Sequence, residues 1–263
     1  MFSKINTILV TIDAYVWGIP LIVLILSVGL FLTIRLKGVQ FTNLGRAFKY
    51  IFKDETDGKH GEVSSFAALC TALSATIGTG NIVGVATAIV SGGPGALFWM
   101  WLAALVGTAT KYAECLLAVK FRQVDEDGHV VGGPFNYIEH GMGPKWKWLA
   151  KIFAFFGIGV GLLGIGTFTQ VNGISSAVRN FFDPNMAHTV ALFGNDYSWA
   201  TVISCLVLTV CVGMVVLGGI KRIAKVSEIV VPFMAVLYVV LAVIIMVTNI
   251  TAIPAAIVTI VKS

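Results

Sequence analysis

The chain has 263 residues, of which 57% are hydrophobic and 12% charged, and its mean hydropathy is +0.90. Soluble domains carry about 25% charged residues, so the composition excludes an ordinary soluble enzyme and describes a polytopic membrane protein. The formal net charge of +5 lies largely in loops between apolar runs, where it reports membrane topology rather than nucleic-acid binding.

A helix that crosses a bilayer needs about 20 apolar residues. The charge-free runs are Ala14–Ile34, Val63–Thr110, Ile152–Val178, Tyr197–Ile220 and Ile229–Val261. The second holds two spans, divided at the turn signal Ser91-Gly92-Gly93-Pro94-Gly95. The prediction is an all-α integral membrane protein with six spans near 14–34, 63–90, 96–119, 152–178, 198–219 and 228–249. Residues 249–263, which contain Pro254, read as a connecting loop or a short interfacial helix.

Basic residues set the predicted orientation. The loop after span one holds Arg35, Lys37, Arg46, Lys49, Lys53 and Lys59. The loop after span three holds Lys120, Arg122, Lys145, Lys147 and Lys151, and the loop after span five holds Lys221, Arg222 and Lys225. The opposite side has only Lys4, Arg179 and Lys262. The basic loops are therefore expected to be cytoplasmic and the N-terminus outside, in a multi-pass protein of the cell membrane. Phe41, Leu44, Phe48 and Ile51, interleaved with Arg46, Lys49 and Lys53, predict a basic amphipathic helix on the inner surface. Trp146-Lys147-Trp148-Leu149 predicts an interfacial anchor.

Conventional catalytic and metal signals are missing. Cys70, Cys115, Cys205 and Cys211 fall in apolar runs without a C-x-x-C pair and read as buried free thiols. His60, His129, His140 and His188 are far apart, in segments read as loops, with no zinc-type spacing. No nucleophile and base are clustered, so the chain is read as a non-enzyme that needs no cofactor. Lys111 and Glu114 are the two charges inside a predicted span. Three residues apart on one helix, they read as a structural ion pair rather than as coupling groups.

The most informative stretch is Ala75-Thr76-Ile77-Gly78-Thr79-Gly80-Asn81-Ile82-Val83-Gly84. Glycine weakens a helix by roughly 1 kcal/mol relative to alanine, so this cluster invites a break. A broken helix within a bilayer must be buried in protein or line a watery cavity. Amides at the start of its second half would face an anion and carbonyls at the end of its first half a cation. A glycine-lined helix contact is the alternative. Gly78-x-Gly80-x-x-x-Gly84 does not have the spacing of a dinucleotide fingerprint. Asn81 could cap the second half-helix or bind an ion. In span four, Gly159, Gly161, Gly164 and Gly166 read as close packing, whereas Gln170 and Asn172 need polar partners or a polar cavity. Pro232 should bend or loosen span six.

Four further runs add to this stretch: Gly92-Gly93-Pro94-Gly95-Ala96-Leu97-Phe98-Trp99-Met100-Trp101, Thr110-Lys111-Tyr112-Ala113-Glu114, Gly132-Gly133-Pro134 and Gly218-Gly219-Ile220-Lys221. Together they resemble the alanine/glycine:cation symporter family of amino acid carriers, part of the amino acid–polyamine–cation superfamily. The resemblance implies a leucine-transporter-like fold of two five-helix inverted repeats. Residues 14–34 would be an extra N-terminal span, 63–249 the first repeat, and 250–263 the start of the second. It implies symport of a small neutral amino acid, alanine or glycine, with sodium or a proton. Thr79, Gly80, Asn81 and Gln170 would bind the substrate, and the carbonyls of Ser74 and Ile77 would contribute to a cation site. Members of the family are much longer, so the chain is expected to be the N-terminal part of a carrier. The alternative is a transport-inactive fragment that needs a separate C-terminal half. The expected partners are otherwise the amino acid, the cation and the lipid bilayer, with no nucleic acid.

Overall fold

A computed structural model of the chain describes residues 2–52, 63–126, 130–164, 166–192 and 194–263. Among these residues the structure is helical apart from two short antiparallel hairpins. In chain order, α1 (Phe2–Val16) and α2 (Ile19–Arg35) are followed by the short α3 (Val39–Thr42) and α4 (Leu44–Ile51). Next come α5 (Ser65–Thr76), a π-turn at Gly80–Gly84, α6 (Val85–Gly92) and α7 (Gly95–Lys120). Strands β1 (Gln123–Val124) and β2 (Val130–Val131) pair before α8 (Pro134–Gly141), a 3-10 turn at Pro144–Trp146 and α9 (Lys147–Leu163). Helix α10 (Thr167–Phe182) leads to β3 (Thr189–Leu192) and β4 (Asn195–Ser198), then α11 (Trp199–Val216) and α12 (Gly219–Thr248). A 3-10 turn at Ile250–Ala252 and α13 (Ile253–Lys262) complete the chain.

Five stretches are long and apolar enough to cross a membrane, and the bent pair formed by residues 65–76 and 80–92 makes six. Large apolar side chains such as Phe31, Leu162, Leu206 and Leu217 point outward. A bilayer would cover that surface without cost, because lipid tails are as apolar as the side chains.

Several predicted elements differ in detail. The first apolar stretch starts at Lys4 rather than at residue 14, because Asp13 is accommodated inside α1. A break at Trp17-Gly18 precedes Pro20, which sits in the first turn of α2 where its missing N–H costs nothing. Span four is not one helix. Gly164 (φ 62°) and Gly166 (φ 91°) take left-handed conformations that end α9 and start α10. Helix α12 begins at Gly219, nine residues before the predicted start of span six, and takes Lys221, Arg222 and Lys225 into its first turns. It also runs through Pro232 without interruption. Residues 253–262 form a short helix with Pro254 in its first turn. The basic segment is two helices, α3 and α4, instead of one, and Lys53 lies outside the described residues, as do Lys59, His60 and His129. His140 is in the last turn of α8 and not in a loop. All four cysteines are free, but only Cys70 is buried. Cys115 and Cys211 lie on the outward faces of spans, where lipid would supply the apolar surroundings.

The chain forms two compact units. One comprises Met1–Lys49 and Leu97–Lys151. In it α2 and α7 approach so closely at Gly29 that a Cβ there would lie 2.9 Å from the Val106 carbonyl oxygen. Lys111 and Glu114 form the expected ion pair at 3.1 Å. Glu139 pairs with Lys147 at 2.6 Å, which holds the Glu139 carboxyl below the ordinary carboxylate range.

The other unit comprises Tyr50–Ala96 and Ile152–Ser263. Here α12 packs along α5, and α11 packs against both α10 and α12. The β3–β4 hairpin is clasped by Asp183, which is buried. Its Oδ2 accepts the Ser198 hydroxyl at 2.6 Å and its Oδ1 the Ala187 N–H at 2.7 Å. The Ser198 hydroxyl, helped by the Ala187 and His188 N–H groups, keeps the Asp183 carboxyl below its usual range although burial opposes this. Ser198 also caps α11 through the Ala200 N–H, so one carboxylate fixes both hairpin and helix start.

Candidate binding site

The glycine-rich stretch breaks its span, as its composition predicts. Helix α5 ends at Thr76, and Ile77 is extended (φ −89°, ψ 104°). The segments 65–76 and 80–92 meet at 53°. Thr79 stands at the start of the second segment, whose first turn is π-helical rather than α-helical. Asn81 does not cap that segment with its side chain; it lies inside the π-turn, and its N–H reaches the Gly78 carbonyl at 3.1 Å.

A break frees backbone groups that must find partners. The principal partner comes from the second break. Because α10 restarts at Gly166, Gln170 falls in its first turn, with its N–H on the Gly166 carbonyl at 3.2 Å. Its side-chain Oε1 accepts the Thr79 N–H at 2.9 Å. Gly78 allows this approach, since a Cβ there would overlap the Gln170 amide nitrogen. Gly173, one turn further along α10, lies so close to Thr79 that a Cβ would sit 2.7 Å from the threonine methyl. The glycines of both spans thus serve as breaks and as contact points.

Around this junction lies a cavity of about 500 Å³, within the 300–1,000 Å³ range of small-molecule sites. It brings together four of the six residues singled out in the sequence: Ile77, Thr79, Asn81 and Gln170. Gly80 and Ser74 are not on its wall. Gly80 faces open space, with nothing within 4 Å of where a Cβ would be. Ser74 lies in the last turn of α5, where its hydroxyl donates to the Thr71 carbonyl at 2.7 Å and accepts from the buried Ser227 of α12 at 3.4 Å. The Ser74 and Ile77 carbonyls fall where helical donors run out. Among the described residues no group of three or more His, Cys, Asp or Glu could hold a metal ion.

The opposite wall was not anticipated. Met234, Ala235, Tyr238 and Val239 of α12 line the cavity, as does Gly78 itself. Tyr238 is the one tyrosine in the run 229–261. Its hydroxyl is the one polar side-chain group between residues 229 and 247, which is a legible signal. Asn172, by contrast, is on the exposed side of α10, where its carbonyl accepts the Ser175 hydroxyl at 3.2 Å.

A multi-pass helical membrane protein whose broken span faces a partly polar cavity has the build of a transporter. Sequence comparison makes the class specific. The pattern of the sodium:alanine symporter family matches residues 2–263, and the chain belongs to that family. An uncharacterized transporter of Haemophilus influenzae is 52% identical over 259 residues, covering 98% of this chain and 53% of the relative. The sodium/alanine symporter AgcS of Methanococcus maripaludis is 45% identical over 248 residues, 91% of this chain and 50% of the relative. The amino-acid carrier protein AlsT of Bacillus subtilis is 36% identical over 263 residues, 100% of this chain and 52% of the relative. The chain therefore spans about half the length of these curated relatives. The comparisons lend no support to the separate C-terminal half that the alternative reading required.

Proposed function

We propose that the chain provides the binding core of a sodium-coupled carrier of small neutral amino acids such as alanine. One observation carries this reading: the 53° break in span two opens onto a cavity of about 500 Å³ lined by Thr79, Asn81 and Gln170. The amides at Thr79 and Gly80 start the second half-helix, where the helix dipole favours a carboxylate. The carbonyls of Ser74 and Ile77 end the first half-helix, where it favours a cation. A zwitterion and a sodium ion can thus share one break, the cation next to the carboxylate it helps to neutralise. A proton is the alternative coupling ion. The apolar wall from α12, with Met234 and Ala235, suits a short side chain and disfavours a charged one.

The wider frame belongs to the same proposal. The protein lies in the cell membrane with its basic loops cytoplasmic and its N-terminus outside. Residues 63–249 form the first repeat of a leucine-transporter-like fold, preceded by one extra span. Downhill movement of the cation drives uptake, provided that the loaded and empty protein prefer different states.

Calorimetry on the purified chain tests the assignment. L-alanine should bind in sodium and bind at least tenfold more weakly when potassium replaces it. Met234→Trp, which fills the cavity from the α12 side, should abolish the signal in both salts. Binding that is indifferent to the cation, or untouched by Met234→Trp, would overturn the reading.

A further inference from the structure

The proposed binding of a carboxylate at the break meets an obstacle in the structure itself. The Thr79 N–H that would receive the carboxylate already has an acceptor, the Gln170 Oε1 at 2.9 Å. Gln170 also lies on the cavity wall, and its amide rests against Gly78, where no side chain could coexist with it. This oxygen stands at the dipole-positive end of the second half-helix, where a substrate oxygen is wanted. From this geometry we infer that Gln170 is a built-in stand-in for the substrate: it occupies the Thr79 amide while the cavity is empty, and substrate binds by displacing it.

The inference rests on the carrier reading and changes the part that Gln170 plays in it, from ligand to competitor. The chemistry favours the exchange. An unpartnered amide next to an apolar cavity costs free energy, so the empty site needs an acceptor. A neutral carboxamide oxygen is sufficient for that. A carboxylate makes a charge-assisted bond of about twice the strength and gains from the helix end as well. Glutamine is suited to the role because its oxygen is uncharged and can be displaced. A glutamate at the same place would hold the amide too tightly and would repel the incoming carboxylate.

The exchange also carries information. Gln170 is in the first turn of α10, directly after the second break at Gly164 and Gly166. While it holds Thr79, the two broken spans are tied together at their breaks. Once a carboxylate takes the amide, that tie is gone and α10 is held there chiefly by the packing of Gly173 on Thr79. Occupancy of the cavity is thereby transmitted to the element beside it. Removing the tether lowers the cost of opening the site for every ligand of that amide equally, since all must pass through the same displacement.

Two substitutions test this in the full chain in lipid nanodiscs. Gln170→Met keeps the length and removes the acceptor. Gln170→Asn keeps the amide but is one methylene too short, and it serves as the independent variant should the first not fold. Without amino acid, the Thr79 amide should exchange with solvent about tenfold faster in either variant than in the wild type, the value of one hydrogen bond. Both variants should bind L-alanine in sodium three- to tenfold more tightly than the wild type. Saturating alanine should bring the Thr79 exchange rates of all three proteins together. Unchanged Thr79 exchange, or alanine binding that is equal or weaker in both variants, would overturn the stand-in. A wild-type chain that binds no alanine at all would overturn the carrier reading and this inference with it. Wild-type binding with no gain in the variants would overturn this inference alone.

Discussion

Gly78-Thr79-Gly80 and Pro232 lie in one unit and both carry strong helix-breaking signals, yet only the first ends its helix. At Gly78-Thr79-Gly80 the helix ends, turns by 53° and restarts as a π-turn. At Pro232 helix α12 continues from Gly219 to Thr248 without interruption. Proline removes one N–H and fixes φ near the helical value, so the helix loses a single bond to the Glu228 carbonyl and can continue. Glycine removes no bond but frees the backbone to leave the helix, and it leaves room for another chain to approach. The approach decides the outcome. Gln170 supplies an acceptor to Thr79, and Gly173 accepts the threonine methyl. A break inside a membrane thus depends less on weakening the helix than on furnishing new partners for what is freed.

The largest expected effect attacks the partner side of this comparison. Gly78→Leu puts a side chain where the Gln170 amide lies and blocks the cavity wall. Sodium-dependent alanine binding should fall by more than about 100-fold, which corresponds to about 2.8 kcal/mol. Gly80→Ala tests the glycine side, because its Cβ would meet nothing. If partners hold the break, this variant should stay bent and keep its stability to within about 1 kcal/mol. A straightened span, seen as a longer distance between spin labels at residues 66 and 90, would break the comparison.

Pro232→Ala tests the other region. It restores the bond to the Glu228 carbonyl and should raise stability by about 1–3 kcal/mol, read from thermal unfolding in detergent. A fall would show that α12 uses the freed carbonyl.

Two smaller effects concern polar pairs that do not line the cavity. Asp183→Asn should lower the thermal midpoint by a few degrees, because the Ser198 hydroxyl and the Ala187 N–H lose a charged acceptor. The Asp183 carboxyl titrates below its ordinary value in the folded protein. Its contribution is therefore complete above the ordinary carboxylate pKa near 3.9 and is lost as pH falls below it. The midpoint difference between wild type and variant should shrink over that acid range and stay constant from pH 5 to 8. The smallest effect is expected at Glu114→Gln. The Lys111–Glu114 pair satisfies its own charges at 3.1 Å, and neither residue lines the cavity. Alanine binding should be unchanged; a loss of sodium dependence would turn the pair into a coupling device.

Legibility in the sequence followed the range of the interactions. The bent second span could be read from Gly78, Gly80 and Gly84, because helix weakness is local. The pairing of Lys111 with Glu114 could be read for the same reason. The division of span four could not, since Gly164 and Gly166 share their composition with packing glycines, and only their left-handed conformations separate the two roles. The β3–β4 hairpin was hidden in a short loop, where a carboxylate fifteen residues from Ser198 holds it. Gln170 could be marked as needing a partner, whereas its partner Thr79 lies 91 residues away. The α12 wall was legible only at Tyr238.

That distance has a consequence in time. Chains are made at about 5–20 residues per second. Thr79 therefore waits roughly 5–20 s after its own synthesis for Gln170 to emerge. Ser74 waits still longer for Ser227, 153 residues on. During that interval the broken span sits beside the translocon with polar groups that only later helices can satisfy. The pace of the ribosome thus sets when the site can close, and the insertion machinery must shelter the break until then.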